Sequence, residues 1–227
     1  MTPDPWQRDY IQSHSRRMIL RCPRQSGKSE STACRQVGKL MFDAPWFCLM
    51  FAPTLRQSRE IFDSLKRLIA PFSQLFPFAE ETQTSFRLAN GSRAIALPAT
   101  EQTVRGYSKV SAFVLDEAAM VPRKLYRAVR PMLAMADSGE ISLLSTPKGK
   151  QGFFYETWQQ AADGKRWSPF SVTYRDVARY DPDFLLEERE EHGERWFSQE
   201  YGVEFLDDET GGNPTLVPKE LTRGLFV

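Results

Sequence analysis

Arg21-Cys-Pro-Arg-Gln-Ser-Gly-Lys-Ser29 follows the apolar run Met18-Ile-Leu20 and precedes a segment of helical character. The stretch sits where a buried strand hands over to a helix N-terminus. Inward-facing backbone N–H groups and the helix dipole make such a junction a phosphate site. Against the phosphate-loop pattern G-x-x-x-x-G-K-S/T, Lys28 is placed to reach the β- and γ-phosphates and Ser29 to hold Mg²⁺. Arg21, Arg24, Gln25, Ser26 and Gly27 make up the rest of the loop's candidate ligands. Cys22 stands where the pattern has its first glycine, so the loop alone also reads as a chance Gly-Lys-Ser at a helix start.

Upstream, Pro5-Trp-Gln-Arg-Asp-Tyr-Ile11 is short and aromatic. The Gln7 amide can donate to and accept from an adenine edge, with Trp6 or Tyr10 walling the base. Alternatively, the two aromatic residues only pin the terminus to the core. Downstream, Ser29 to Phe42 is helical in character, and the apolar run between Pro45 and Pro53 predicts a strand buried on both faces. Thr54-Leu-Arg-Gln57 matches a capping box, and Leu55, Phe62, Leu65 and Ile69 recur at helical spacing, predicting a helix over 55–70. Asn90-Gly91 between alternating runs at 84–88 and 92–97 predicts a β-hairpin.

Ser111-Ala-Phe-Val-Leu115 is a second buried strand and ends in Asp116-Glu117. Unpaired carboxylates are costly to bury, but beside a phosphate loop this pair has a use. Asp116 orients the Mg²⁺ shell and Glu117 polarises the attacking water. The alternative is a strand that simply runs out into solvent. A helix follows over 125–133 with a kink at Pro131, then a strand at 141–144 ending in Ser145-Thr-Pro147, a helix over 153–162 and a strand over 167–174. A last helix starts at Asp181-Pro-Asp and runs from Phe184 to about Tyr201. Strands alternating with helices predict an α/β fold with a mainly parallel sheet covered on both faces.

Composition narrows the function classes. Of 227 residues 41% are hydrophobic, enough for a sizeable core. No apolar run approaches a membrane span, and the N-terminus Met1-Thr-Pro-Asp-Pro lacks the regions of a signal peptide, so the expectation is a cytosolic chain. Three cysteines and two histidines without metal-ligand spacing argue against zinc or a disulfide framework. Net charge is +1, yet residues 1–180 carry 26 Lys/Arg against 16 Asp/Glu and residues 181–209 carry 2 against 12. A basic body of this kind suits a polyanionic partner, although a solvated basic face gives the same count.

Taken together, Arg21 to Ser29, Phe113-Val-Leu-Asp-Glu-Ala-Ala119 and Leu144-Ser-Thr-Pro147 resemble the motifs of the large terminase subunit of tailed double-stranded DNA bacteriophages. That family's phosphate loop is similarly rich in arginine and lacks its first glycine. The resemblance runs from Trp6-Gln7 to Glu200-Tyr-Gly-Val-Glu-Phe205. It implies a P-loop NTPase of the additional-strand, catalytic-glutamate type, using ATP and Mg²⁺ to move double-stranded DNA through a portal ring into a capsid. It also implies adenine contact by Gln7, phosphate and Mg²⁺ contacts by Lys28 and Ser29, a Walker B aspartate at Asp116, a catalytic glutamate at Glu117 and a coupling motif at Ser145, Thr146 and Pro147. Arg24 matches a γ-phosphate sensor in its own subunit, and Arg105, before Gly106, a residue that reaches a neighbour's nucleotide. The portal protein, the small terminase subunit and further copies of the chain in a ring are the implied partners, in the host cytoplasm and at the procapsid.

The expected organisation is an ATPase core at 1–180, an acidic, lid-like helical region at 181–208 and a linker at 209–227 toward a nuclease domain that this chain does not carry. Two other readings compete: a helicase-like DNA-dependent ATPase, which needs a second core, and a nucleotide-binding scaffold that does not hydrolyse.

Overall fold

The computed structural model describes residues 2–100, 106–133 and 139–207. In chain order the described elements are α1 (Pro5–Gln12), β1 (Arg17–Arg21), α2 (Lys28–Phe42), β2 (Phe47–Ala52), α3 (Leu55–Ile69), β3 (Phe78–Glu81), β4 (Ser85–Leu88) and β5 (Arg93–Pro98). Then come β6 (Ala112–Leu115), α4 (Arg123–Val129), β7 (Glu140–Ser145), α5 (Gly152–Ala161), β8 (Ser168–Ser171) and α6 (Pro182–Glu200). The strands form one sheet in the order β3-β4-β5-β2-β6-β7-β1-β8. It is parallel from β5 to β8 and antiparallel only at the β3-β4-β5 edge.

Alternation along each strand divides the core in two, because successive side chains point to opposite faces. Met18, Leu20, Cys48, Met50, Val114 and Leu144 pack against α1, α2 and α3. Ile19, Leu49, Phe51, Phe113, Leu115 and Leu143 pack against α4 and α5. A central strand buried on both faces needs apolar residues at every position, and β2 and β6 are buried throughout.

Several local expectations are corrected. α1 is a full helix, with Pro5 at its first turn and a capping box between Asp4 and Gln7. β3 is an addition to the expected elements, an exposed edge strand whose Glu80 and Glu81 pair with Arg87 and Lys66. α4 ends at Val129, and a 3-10 turn over Arg130–Leu133 follows where Pro131 removes a backbone donor. β8 stops at Ser171 instead of continuing to Tyr174, because Thr173 caps a 3-10 turn at Tyr174–Asp176. α6 is broken at Gly193 (φ 80°, ψ 160°). At α3 the Thr54 hydroxyl accepts from the Gln57 N–H at 3.3 Å as its sequence predicts, while the Gln57 side chain bonds the same hydroxyl rather than closing the box.

Candidate active site

The loop after β1 bends where its residues allow. Gln25 (φ 56°) and Gly27 (φ 91°) take left-handed backbone, whereas Cys22 does not. The missing first glycine therefore costs nothing at Cys22, whose side chain is fully buried in the core and whose thiol burial pushes up to about 12. The Cys22 N–H donates to the Ser145 carbonyl at 3.0 Å, and the Thr146 hydroxyl donates to the Cys22 carbonyl at 3.1 Å. Ser26 folds its hydroxyl back to the Pro23 carbonyl at 2.9 Å. Gly27 then caps α2, so Lys28 and Ser29 occupy its first turn.

Those two residues meet the acid pair at the end of β6. Lys28 Nζ lies 3.0 Å from Glu117 Oε1, and the Ser29 hydroxyl donates to Asp116 Oδ2 at 3.1 Å. Burial lowers the Lys28 pKa, but Glu117 and Asp116 together outweigh it and the net shift is upward. Asp116 is buried, which pushes its carboxyl up to about 6 despite Lys28. Glu117 sits in left-handed backbone (φ 48°, ψ 45°), uncommon for a non-glycine residue and a mark of functional sites. The Ser145 hydroxyl is 3.5 Å from Glu117 Oε2 and accepts from the Ala119 N–H at 3.2 Å. Ser145 and Thr146, at the end of β7, thus touch the acid pair's turn on one side and the phosphate loop on the other, while Pro147 continues the segment.

Among the cavities beside the loop, two take in Lys28 or Gln7. A cleft of about 350 Å³ is lined by Arg24, Lys28, Ser29, Asp116 and Glu117, with Gln57 and Glu60 from α3 on its rim. The second, about 390 Å³, is lined by Gln7, Ile11, Gln25, Gly27, Cys34 and Arg179 among others. Gln7 serves two purposes: its Oε1 accepts from the Asp4 N–H at 2.8 Å, and a Cβ on Gly27 would fall 2.7 Å from its Nε2. Tyr10 is in the core, bonded to Thr32 at 3.2 Å, and neither it nor Trp6 lines the second cavity. Arg21 turns elsewhere, donating to Ser171 at 2.9 Å and stacking on Trp158 at 4.5 Å. Arg24 is largely exposed and pairs with Glu200 of α6 at 3.2 Å. Arg105 lies outside the described residues; Gly106 beside it has φ 107°.

The sequence reading missed Arg179. It pairs with Asp4 at 2.7 Å, donates to the Ser26 carbonyl and lines the second cavity. Nothing in its local sequence marks it, because the fold alone brings it back to a loop more than 150 positions earlier.

Ser29 and Asp116 offer the hard oxygen donors that suit Mg²⁺. Among the described residues no cluster of three or more His, Cys, Asp or Glu could hold a metal by itself.

A phosphate loop on β1, an acid pair on β6 and β7 inserted between those strands define a P-loop NTPase of the additional-strand, catalytic-glutamate class. The family described as "Terminase large subunit, T4likevirus-type, N-terminal" matches residues 19–213, and the chain belongs to that family. It is 28% identical to the large terminase subunit of Thermus virus P23-45, over 86% of this chain and 47% of that protein, so it spans about half the length of the curated relatives it matches. The ATPase domain of the Thermus phage P74-26 large terminase has the same fold, with a TM-score of 0.77 at 25% identity over 90% of this chain and 94% of that one. The fold is also that of the large terminase of a thermophilic bacteriophage in complex with ADP, with a TM-score of 0.75 at 12% identity over 90% and 54% of the two chains. No helix among the described residues is long and apolar enough to cross a membrane.

Proposed function

We propose that this chain binds ATP with Mg²⁺, hydrolyses it, and in the working motor uses the energy to drive double-stranded DNA into a procapsid. The observation that carries the reading is the convergence of Lys28, Ser29, Asp116 and Glu117 at the ends of β1 and β6. A large terminase of the same fold has been solved with ADP and with ATP-γ-S.

The γ-phosphate of ATP is a stronger partner for a buried ammonium than one carboxylate, so its arrival draws Lys28 from Glu117. Glu117, released, accepts a hydrogen bond from a water and aims it at phosphorus, with the Ser145 hydroxyl beside its second oxygen. Ser29 and Asp116 would hold Mg²⁺, which would supply positive charge against the phosphates. Gln7, across from Gly27, lines the second cavity, which in this reading takes the base, and Arg179 fixes the loop backbone. Because Ser145 and Thr146 join both halves of the site, a change at Glu117 is felt along β7, which suits a coupling role. Arg24 acts on the γ-phosphate from its own subunit and Arg105 from a neighbouring one. The core spans residues 1–180, and 181–208 serve as a lid. In this reading the partners are the portal protein, the small terminase subunit and a ring of copies, in the host cytoplasm and at the procapsid.

The test is phosphate release with Mg²⁺ and ATP. Lys28→Ala and Glu117→Gln should each abolish turnover, with Glu117→Gln still binding ATP. Full turnover in Glu117→Gln would overturn the assignment.

A further inference from the structure

Five arginines from three parts of the chain line a single cavity of about 210 Å³ that has no part in the site above. Arg17 opens β1, Arg123, Arg127 and Arg130 come from α4 and the turn after it, and Arg166 lies just before β8. The 123, 127, 130 spacing places three guanidinium groups along one helical face. Tyr126 and Phe153, also in the lining, stack on each other with ring centroids 4.7 Å apart. Glu156 is the one carboxylate of the lining, and Arg123 takes it. Among the described residues Arg17, Arg127, Arg130 and Arg166 form no ion pair, and Arg130 lies over the Tyr126 ring at 5.7 Å. Gathering like charges around a concavity works against folding unless an anion shares it.

The chemistry specifies the anion. Planar guanidinium forks match phosphate oxygens two at a time, and arginine is less strongly hydrated than lysine. The cavity is separate from the nucleotide because it lies at the N-terminal ends of β1 and β8, whereas the phosphate loop leaves the C-terminal end of β1. Five residues of strand, at about 3.3 Å each, separate the two by roughly 13–16 Å. We infer that this arginine pocket is a second anion site, which grips the phosphate backbone of double-stranded DNA; naming DNA as the polyanion rests on the packaging reading above.

The experiment is anisotropy of a labelled DNA duplex with the full chain across a salt series. In the combined Arg17→Ala, Arg127→Ala, Arg166→Ala variant, affinity at low salt should fall by about tenfold or more. The slope of log affinity against log salt should shrink by about 0.9 for each phosphate that the variant leaves unneutralised. Lysine at the same three positions should restore the slope, Glu156→Gln should tighten binding, and ATP turnover without DNA should not change. If the wild-type chain binds DNA and the alanine variant matches it in affinity and slope, the site is overturned and the packaging reading stands. If the wild-type chain binds no DNA at low salt, both fall. If the alanine variant loses only inorganic pyrophosphate binding, the pocket is a small-anion site. If it loses only self-association, the pocket takes the acidic segment of a second copy. Either result overturns the DNA assignment.

Discussion

At Asp116 the proposed metal-binding role and stability oppose each other. Its carboxyl is pushed up to about 6 by burial against an ordinary value of 3.8, so the native state holds the proton more tightly than the unfolded chain does. The stabilising contribution is therefore complete below about pH 4 and lost as pH rises through 6. At neutral pH, the ionised group costs on the order of 3 kcal/mol in the metal-free protein. Asp116→Asn should accordingly melt higher than wild type at pH 7.5 without Mg²⁺, the gain shrinking toward pH 4, while turnover is lost. A melting curve series that shows no pH-dependent difference would refute this. Gln7 permits a second residue-level test. Its Oε1 is committed to the α1 cap and its Nε2 faces the cavity, so Gln7→Ala should lower the preference for ATP over GTP and destabilise the cap by about 1 kcal/mol. An unchanged nucleotide preference would leave Gln7 as a cap alone.

Between elements, the interaction that matters is that of α6 with the phosphate loop. Glu200 holds Arg24 at 3.2 Å, and the Tyr180 hydroxyl donates to the Arg24 carbonyl. With Arg24 exposed and only Glu200 mostly buried, the pair contributes about 1 kcal/mol or less to stability. Its weight lies in where it keeps the guanidinium. Glu200→Gln should leave the melting temperature nearly unchanged and lower the KM for ATP, because Arg24 then has no carboxylate to exchange for phosphate. An unaltered KM, by titration of initial rates, would place Arg24 outside the γ-phosphate site.

For the whole molecule the question is whether one chain makes a complete site. Lys28, Ser29, Asp116 and Glu117 come from a single chain, whereas the trans role proposed for Arg105 requires a neighbour. Turnover per chain should then rise with protein concentration. Mixing inactive Arg105→Ala with inactive Glu117→Gln should recover activity, since each retains what the other lacks. No recovery where wild-type chains associate would assign the phosphate contact to Arg24.

Much of this protein is written locally. A strand buried on both faces must be apolar at every position, so β2 and β6 could be read from Phe47–Ala52 and Ala112–Leu115, and Lys28-Ser29 and Asp116-Glu117 declare themselves at the strand ends. α1 was also legible, through Asp4, Pro5 and Gln7 at its start, but its brevity hid it. What no local pattern contains is which strand lies beside which. Only the tertiary structure inserts β7 between β1 and β6, which brings Ser145 to Glu117 and Thr146 to the phosphate loop. The same long-range packing returns Arg179 to Ser26, stacks Arg21 on Trp158 away from the cavities, and collects arginines from three segments around one pocket. These side chains are polar and lie on turns, helix faces or strand ends, where hydrophobic periodicity carries no signal. Their partners are set by the order of strands in the sheet.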